Sequence, residues 1–201
     1  IDTQNPYHSA KNLFRSRVNF GAVLKEAVAG RILVHAAAYV VTTESGDEKA
    51  FFEALNKLGI ETKTKDLQVF YGGAKKADWD VGMAIDAVKF APKLDAIVLA
   101  TGDGDFVPLV EYLKSQGVQV EVISFGKSSS GRLREACDDF IDMGDAPKNF
   151  LLTSGRSASP YLPAFIAGAA PEGPDQPEKG DADLDDDDSM PTVVGADDAG
   201  R

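Results

Sequence analysis

Four aspartates lie in short motifs whose residue types and spacing suit a metal-ion site. Asp2 stands near the start of the chain, Asp80 opens a helical pattern, and Asp103 and Asp105 flank Gly104. Carboxylates held close together repel one another, and a divalent cation placed between them relieves that repulsion. Clustered carboxylate oxygens are typical ligands of Mg²⁺ or Mn²⁺, and these ions promote the hydrolysis of phosphodiester bonds. The four aspartates therefore indicate metal-assisted hydrolysis of a phosphodiester.

The elements that must position these aspartates follow from the alternation of apolar runs and helical patterns. A strand is predicted to end at Asp2, further strands cover 32–41, 62–71, 96–100 and 118–125, and helices cover 20–28, 47–58, 78–90, 106–115 and 131–141. Strands that alternate with helices favour a parallel sheet with helices on both faces. We therefore expect a three-layer, Rossmann-like α/β fold. In such folds ligands bind beyond the carboxyl ends of the strands, where the aspartates are expected to meet.

Each aspartate also has a purely structural explanation, which the sequence alone leaves open. Asp105 precedes a predicted helix and suits an N-cap, and Asp80 in a first turn interacts favourably with the helix dipole. Asp103 between two glycines suits a turn, and Asp2 suits an Asx-turn with Asn5. The expected convergence of all four carboxylates on one sheet edge is what favours the metal site.

The helical pattern over 78–90 predicts the orientation of its two aspartates, Asp80 and Asp86. At 100° per residue, Asp80 lies about 90° from the centre of the apolar stripe and Asp86 about 150° from it. We therefore expect Asp80 to border the buried face and Asp86 to point towards solvent.

Trp79 suits either stacking on a nucleic-acid base or packing in the core.

Charge is distributed unevenly along the chain of 201 residues, whose net charge is −11. Residues 151–201 contain eleven acidic and three basic residues, so this part accounts for −8 and residues 1–150 for −3. Six of the ten prolines also fall in residues 151–201. An acidic, proline-rich segment without hydrophobic periodicity is typical of disorder. We therefore expect one domain over 1–149 and a disordered acidic tail over 150–201.

The cysteine content and the apolar runs exclude two classes of protein. The single Cys137 excludes an internal disulfide framework and is typical of a reducing compartment, so we expect a cytoplasmic location. The apolar runs have the length of buried strands, which excludes a membrane-spanning segment and makes a membrane partner unexpected.

Four motifs together carry a family resemblance. They are Ile1-Asp2-x-x-Asn5, Trp79-Asp80-Val81-Gly82-Met83-Ala84-Ile85-Asp86, Thr101-Gly102-Asp103-Gly104-Asp105-Phe106-Val107-Pro108-Leu109-Val110 and Ser130-x-x-Leu133-x-x-Ala136-Cys137-Asp138-x-Phe140. Over about residues 1–143 the chain resembles the NYN domain, and in particular its LabA-like (DUF88) subgroup. The resemblance implies a PIN-like fold and, where members are active, a Mg²⁺-dependent ribonuclease.

The resemblance also implies roles for individual residues. The acidic positions of the family, which bind metal and act in catalysis, correspond to Asp2, Asp80, Asp103 and Asp105. Asn5 corresponds to a supporting polar residue, and the expected cofactor is Mg²⁺ or Mn²⁺. The chain departs from the family pattern at Thr3 and Pro6, where glycine and leucine are usual, and both positions flank the loop beside Asp2.

A basic rim is expected beside the aspartates, because an acidic chain needs a local positive surface to hold RNA. The candidate substrate-binding residues are Asn5, Lys75, Lys76 and Lys127. The expected partner is short or single-stranded RNA. The alternative is a regulatory module, catalytically weak or inactive, that binds RNA or protein. In that case the acidic tail suits a basic surface on a protein partner.

Overall fold

The structure, a computed structural model, describes residues 1–42, 49–66 and 79–152, together with the backbone of 68–69 and 75–76. Its helices are α1 (Gln4–Phe14), α2 (Phe20–Val28), α3 (Lys49–Lys57), α4 (Asp80–Phe90), α5 (Val107–Ser115), α6 (Gly131–Ala136) and α7 (Pro147–Phe150). Its strands are β1 (Ala37–Thr42), β2 (Glu61–Asp66), β3 (Gln68–Val69), β4 (Lys75–Lys76), β5 (Ala96–Leu99), β6 (Gln119–Ser124) and β7 (Asp139–Asp142). Short 3-10 turns cover Ala91–Lys93, Gly104–Phe106 and Gly126–Ser128. Within these ranges, no helix has the length and apolar character needed to cross a membrane.

The first residues of the chain link two parallel sheets. β1 pairs with β2, and β6 lies between β5 and β7, each pairing being parallel, whereas β3 and β4 form a separate antiparallel pair. Asp2 bridges Tyr39 of β1, and its N–H donates to the carbonyl of Ala100, directly after β5, at 3.1 Å. The segments that follow Asp2, β1 and β5 therefore leave the same edge. These pairings confirm the predicted parallel α/β architecture.

Alternate residues of β6 face opposite layers of helices. Val120 and Val122 belong to a buried cluster with residues of α4, α5 and α6, whereas Ile123 belongs to a cluster with Val23 of α2 and Phe150 of α7. Because successive side chains of a strand point to opposite faces, the two clusters lie on opposite sides of the sheet. The helices therefore cover both faces, as predicted.

The predicted strand over 32–41 is wrong in its first half. β1 begins only at Ala37, and residues 32–34 are exposed, with Ile32 exposed by 93%. β2 begins at Glu61, which is the partner of Ala37, and the Glu61 N–H reaches back only to the Ala36 carbonyl at 2.8 Å, so β2 offers no backbone pairing to 32–35. The segment before β1 therefore has the apolar composition of a buried strand but no partner strand to pair with.

The predicted helix over 131–141 is wrong in its second half. α6 ends at Ala136, and β7 begins at Asp139. The Asp138 N–H donates to the Val120 carbonyl at 2.8 Å, and the Asp138 carboxylate accepts from the Val120 N–H at 2.9 Å. This pair of hydrogen bonds fixes the chain beside β6 and starts the last strand.

The end of the described chain packs on the domain. Phe150 is buried, and the Leu152 N–H donates to the Arg17 carbonyl at 2.8 Å. Contacts with the domain therefore extend three residues past the boundary predicted at 149. The remainder of the predicted tail, 153–201, lies outside the described residues.

Candidate metal centre

Three aspartates meet beyond the carboxyl ends of the strands. Asp80, Asp103 and Asp105 each offer one carboxylate oxygen, and these oxygens all lie within 4.8 Å of one another. Asp80 is the first residue of α4, and the other two lie in the loop between β5 and α5. Asp80 and Asp103 are half-buried and Asp105 is exposed, so the group opens to solvent on one side. Carboxylate oxygens are the ligand type that Mg²⁺ and Mn²⁺ take from proteins.

Hydrogen bonds within the loop hold Asp103 in place. Its carboxylate accepts from the Asp105 N–H at 2.9 Å and so caps the 3-10 turn Gly104–Phe106. Its own N–H donates to the Thr101 hydroxyl at 3.2 Å. The cap is therefore Asp103, rather than Asp105 as predicted. Capping uses one of about four acceptor directions of a carboxylate, so the capping role and a metal-binding role are compatible.

The glycines of the Asp103 loop are required because serines pack against them. A Cβ on Gly102 would lie 2.7 Å from the Ser129 hydroxyl, and a Cβ on Gly104 would lie 2.8 Å from the Ser130 hydroxyl. The Ser130 N–H donates to the Gly102 carbonyl at 2.9 Å. The loop after β6 therefore closes on the aspartate loop and fixes its backbone.

Asp2 is connected to this group but is not one of the three residues whose oxygens meet. One oxygen of its carboxylate accepts from the N–H groups of Gln4 and Asn5 at 3.1 and 3.3 Å, at the start of α1. The other accepts from the Thr101 hydroxyl at 3.1 Å. Burial raises the pKa of Asp2 above its ordinary value, and these hydrogen bonds offset part of that rise. Thr101 thus joins Asp2 to Asp103, whose N–H donates to the same hydroxyl.

The remaining predicted site residues differ in what they contact. The Asn5 side-chain oxygen accepts from the Gly102 N–H at 2.8 Å, so Asn5 holds α1 against the aspartate loop. Lys127 is exposed on the turn directly after β6, where its ammonium is available to solvent. The side chains of Lys75 and Lys76 lie outside the described residues.

Trp79 packs in the core and anchors the start of α4. Its indole N–H donates to the Val40 carbonyl at 2.9 Å, and its ring packs edge-on against the Tyr39 ring at 5.6 Å between centroids. Of the two predicted roles, this geometry favours core packing. Because Trp79 directly precedes Asp80, its anchoring also positions the first carboxylate of the group.

Asp86 fastens α4 to the sheet further along the helix. Its carboxylate accepts from the Tyr39 hydroxyl at 2.9 Å and from the Lys63 ammonium at 2.5 Å. Its side chain is only 18% exposed, so the prediction that it points towards solvent is wrong. Two donors from β1 and β2 draw the carboxylate to the sheet. The hydrogen bond from Lys63 is the main reason that the pKa of Asp86 lies below its ordinary value.

Replacing Asp86 with asparagine is expected to lower the free energy of unfolding at neutral pH by about 1–2 kcal/mol, because Lys63 loses its charged acceptor. A carboxyl whose pKa is lowered by folding stabilises the protein above its ordinary pKa, and that contribution disappears as the pH falls through the folded pKa. The difference between wild type and variant should therefore shrink below about pH 4. Denaturant unfolding at neutral and acidic pH measures it, and a difference that is independent of pH would contradict the ion pair.

The chain matches one family model and is similar to several known proteins. The family model of the NYN domain matches residues 1–146. Low amplitude and bright protein LabA of Synechococcus elongatus is 32% identical over 144 residues, which cover 69% of this chain and 76% of LabA. An uncharacterized protein of Methanocaldococcus jannaschii is 37% identical over 70 residues, 34% of this chain and 29% of that protein. A crystal structure of a Vibrio parahaemolyticus protein of unknown function superposes with a TM-score of 0.69 at 31% identity, covering 75% of this chain and 92% of that one.

Proposed function

Because the chain belongs to the NYN domain family, within the PIN-like nuclease superfamily, we propose that it is a ribonuclease dependent on Mg²⁺ or Mn²⁺. The observation that carries the proposal is the group of oxygens from Asp80, Asp103 and Asp105. Capping explains the position of Asp103 in its own loop. It does not explain why the first residue of α4 places a third carboxylate against that loop.

The donor set fits a hard divalent cation. The group contains carboxylate oxygens alone, with neither histidine nor cysteine, and its exposed side leaves room for the waters that Mg²⁺ retains. Asp80, Asp103 and Asp105 would hold the ion. When bound, the ion would act as a Lewis acid on a phosphoryl oxygen and lower the pKa of a water ligand.

Other residues of the chain hold the backbone of the site in position or bind the substrate. Asp2 orients the Thr101 hydroxyl, which in turn holds the backbone of Asp103. Asn5 fixes α1 to the same loop through its hydrogen bond to the loop backbone. Lys127, exposed on the neighbouring turn, would bind a phosphate of single-stranded RNA at the solvent side of the group.

Millimolar Mg²⁺ or Mn²⁺ is expected to raise the Tm by several degrees, because the ion binds the folded carboxylate group and not the unfolded chain. The variant Asp103→Asn should lose most of this rise. Without metal it should be at least as stable as the wild type, since one repelling charge is gone.

The matched control is Asp95→Asn. Asp95 is exposed directly before β5, whereas Asp103 lies beyond the other end of that strand, so the control should keep the full rise in Tm. Thermal unfolding with and without metal measures both variants. A Tm that metal leaves unchanged, or an Asp103→Asn variant that keeps the rise, would contradict the site.

The second candidate function is a regulatory module that binds RNA or protein without cleaving it. Both oxygens of Asp2 already accept hydrogen bonds, from α1 and from Thr101, and this favours a structural role for one of the four acids that the resemblance assigns to catalysis. The two candidates differ in a single property, which is metal-dependent cleavage.

Deletion of 153–201 is expected to leave the Tm unchanged and to tighten binding of single-stranded RNA at low salt. The deletion removes a net charge of −8, whose repulsion of RNA is least screened at low salt. Deletion of 150–201 should instead lower the Tm, because Phe150 is buried. Thermal unfolding and fluorescence anisotropy measure these effects. Equal RNA affinity for the full and the shorter chain at low salt would contradict the electrostatic role of the tail.

A further inference from the structure

A basic cleft lies beside the C-terminal half of α1, apart from the aspartate group that Asp80, Asp103 and Asp105 form. The cleft has a volume of about 560 Å³ and is lined by Tyr7, Lys11, Asn12, Arg15, Ser16 and Arg17. Three of these six residues are bases and none is an acid. In a chain of net charge −11, they form a local positive surface, which attracts anionic groups.

One face of α1 connects this basic cleft to the aspartate group. Gln4, His8, Lys11 and Arg15 follow one another at spacings of four, three and four residues, so they lie along the same side of the helix and its C-cap. The N-terminus of α1 lies beside the loop that carries Asp103, because the Asn5 side-chain oxygen accepts from the Gly102 N–H at 2.8 Å. At 1.5 Å per residue, Arg15 lies about 16 Å further along the helix. A polar face therefore runs from the aspartates to the basic cleft.

The backbone around the basic cleft is held on both sides. Arg15 ends α1 with φ 50°, and its N–H donates to the Lys11 carbonyl at 3.0 Å. The Ser16 hydroxyl donates to the Leu152 carbonyl at 3.1 Å, and the Arg17 carbonyl accepts from the Leu152 N–H at 2.8 Å. Because these bonds fix the turn before any ligand arrives, binding orders only side chains and costs less entropy.

We infer that the basic cleft binds the phosphate backbone of the single-stranded RNA that is cleaved at the aspartate group, an inference that rests on the proposed function. Arginine presents planar donors that match a phosphate, and lysine adds a compact positive charge. Lys11 and Arg15 are exposed, so both can contact an RNA strand that lies along α1. A flexible strand with one charge per nucleotide spans the distance from the aspartates to the basic cleft.

A competing explanation is that Lys11 and Arg15 complement the negative end of the α1 dipole. Bases at a helix C-terminus stabilise the helix by a few tenths of a kcal/mol to about 1 kcal/mol through that interaction. The dipole explanation predicts that their removal lowers the Tm and leaves RNA affinity unchanged. The RNA explanation predicts a loss of affinity that depends on the length of the RNA.

The test compares the double variant Lys11→Gln/Arg15→Gln with the control Lys25→Gln/Lys57→Gln. Each removes two positive charges near helix C-termini, but Lys25 and Lys57 belong to α2 and α3 and do not line the basic cleft. The probes are fluorescein-labelled oligouridylates of about four and about twelve nucleotides, titrated by fluorescence anisotropy. Ca²⁺ replaces Mg²⁺ in these titrations so that the RNA is not consumed.

The first variant should bind the longer probe about tenfold more weakly at low salt. The slope of log affinity against log salt should fall in magnitude by about 1.4, because two phosphate contacts are lost. Affinity for the shorter probe and the Mg²⁺-induced rise in Tm should stay unchanged, and the control should match the wild type. In a cleavage assay KM should rise for the longer probe while kcat stays constant, because the lost contact lies away from the reacting phosphate.

Unchanged affinity for the longer probe, or an equal loss in the control, overturns the inference. A lower Tm with unchanged affinity also overturns it and assigns the bases to the helix dipole. Polyglutamate of similar length that competes as well as RNA would identify an acidic protein segment as the occupant instead. A wild-type chain that binds RNA through Lys11 and Arg15 but never cleaves it overturns the proposed function and leaves the basic cleft as an RNA site.

Discussion

Replacing Asp103 with asparagine is expected to lower metal-dependent cleavage of single-stranded RNA by about three orders of magnitude, because one of the three proposed metal ligands loses its charge. The fold should survive, since the asparagine side-chain oxygen can still accept the Asp105 N–H that Asp103 accepts at 2.9 Å. Initial rates at saturating Mg²⁺, with the Tm of the same preparations, measure both effects. RNA affinity in Ca²⁺ should change less than the rate.

The Asp95→Asn variant is the matched control for this loss. It removes the same charge at the opposite end of β5, and it should cleave RNA at the wild-type rate. A folded Asp103→Asn variant that cleaves within a few-fold of the wild type would rule out a catalytic role for the aspartate group. A loss of affinity as large as the loss of rate would mean that the metal mainly anchors phosphate.

The second large effect concerns the ion pair between Arg31 and Glu121 of β6, the central strand of its sheet. Glu121 of β6 is buried, and its two carboxylate oxygens accept from Arg31 at 2.6 and 2.8 Å. Arg31 also donates to the carbonyls of Ala27 and Val28 at 2.7 and 3.2 Å, at the end of α2. One guanidinium therefore joins the last turn of a helix to a buried carboxylate of the sheet.

Replacing Arg31, whose side chain is 38% exposed, with methionine is expected to lower the free energy of unfolding by about 2 kcal/mol, because buried Glu121 loses its cation and keeps only the hydrogen bond from the Gln119 amide. The double variant Arg31→Met/Glu121→Leu should regain most of that loss, since an apolar pair of similar size carries no desolvation cost. Lys114→Met is the control, because its partner Asp138 is 36% exposed, against 8% for Glu121, so this substitution should cost under about 1 kcal/mol. Denaturant unfolding measures all three, and a double variant less stable than Arg31→Met would contradict the explanation.

The parallel architecture is predictable because the buried runs over 96–100 and 118–125 carry their strand signal locally, and both appear, as β5 and β6. Prediction fails where a tertiary partner decides the structure. Residues 32–35 have strand composition, yet β2 begins at Glu61 and gives them no backbone partner. The sequence pattern also does not reveal α1, whose start depends on acceptance of backbone N–H groups by the Asp2 carboxylate.

The residues of the candidate site are likewise predictable where the sequence signal is local and are missed where tertiary contacts decide their role. Asp103 and Asp105 are predictable as a pair because one short loop carries both, and Asp80 because it opens a helix that packs beside that loop. The role of Thr101 is missed, although a threonine directly before a glycine-aspartate turn is the signal that was available. The basic cleft is missed because Lys11 and Arg17 line the same cleft only through the left-handed turn at Arg15 and the hydrogen bonds of the following residues to Leu152.

The most direct test of the central claim is incubation of the purified wild-type chain with end-labelled single-stranded RNA in Mg²⁺, in Mn²⁺ and in EDTA. The aspartate group predicts cleavage in both metals and none in EDTA, with activity restored when Mg²⁺ is returned in excess. Cleavage that persists in EDTA would contradict the role of the metal. RNA that is bound but left intact in every metal would contradict the enzyme and establish the binding module.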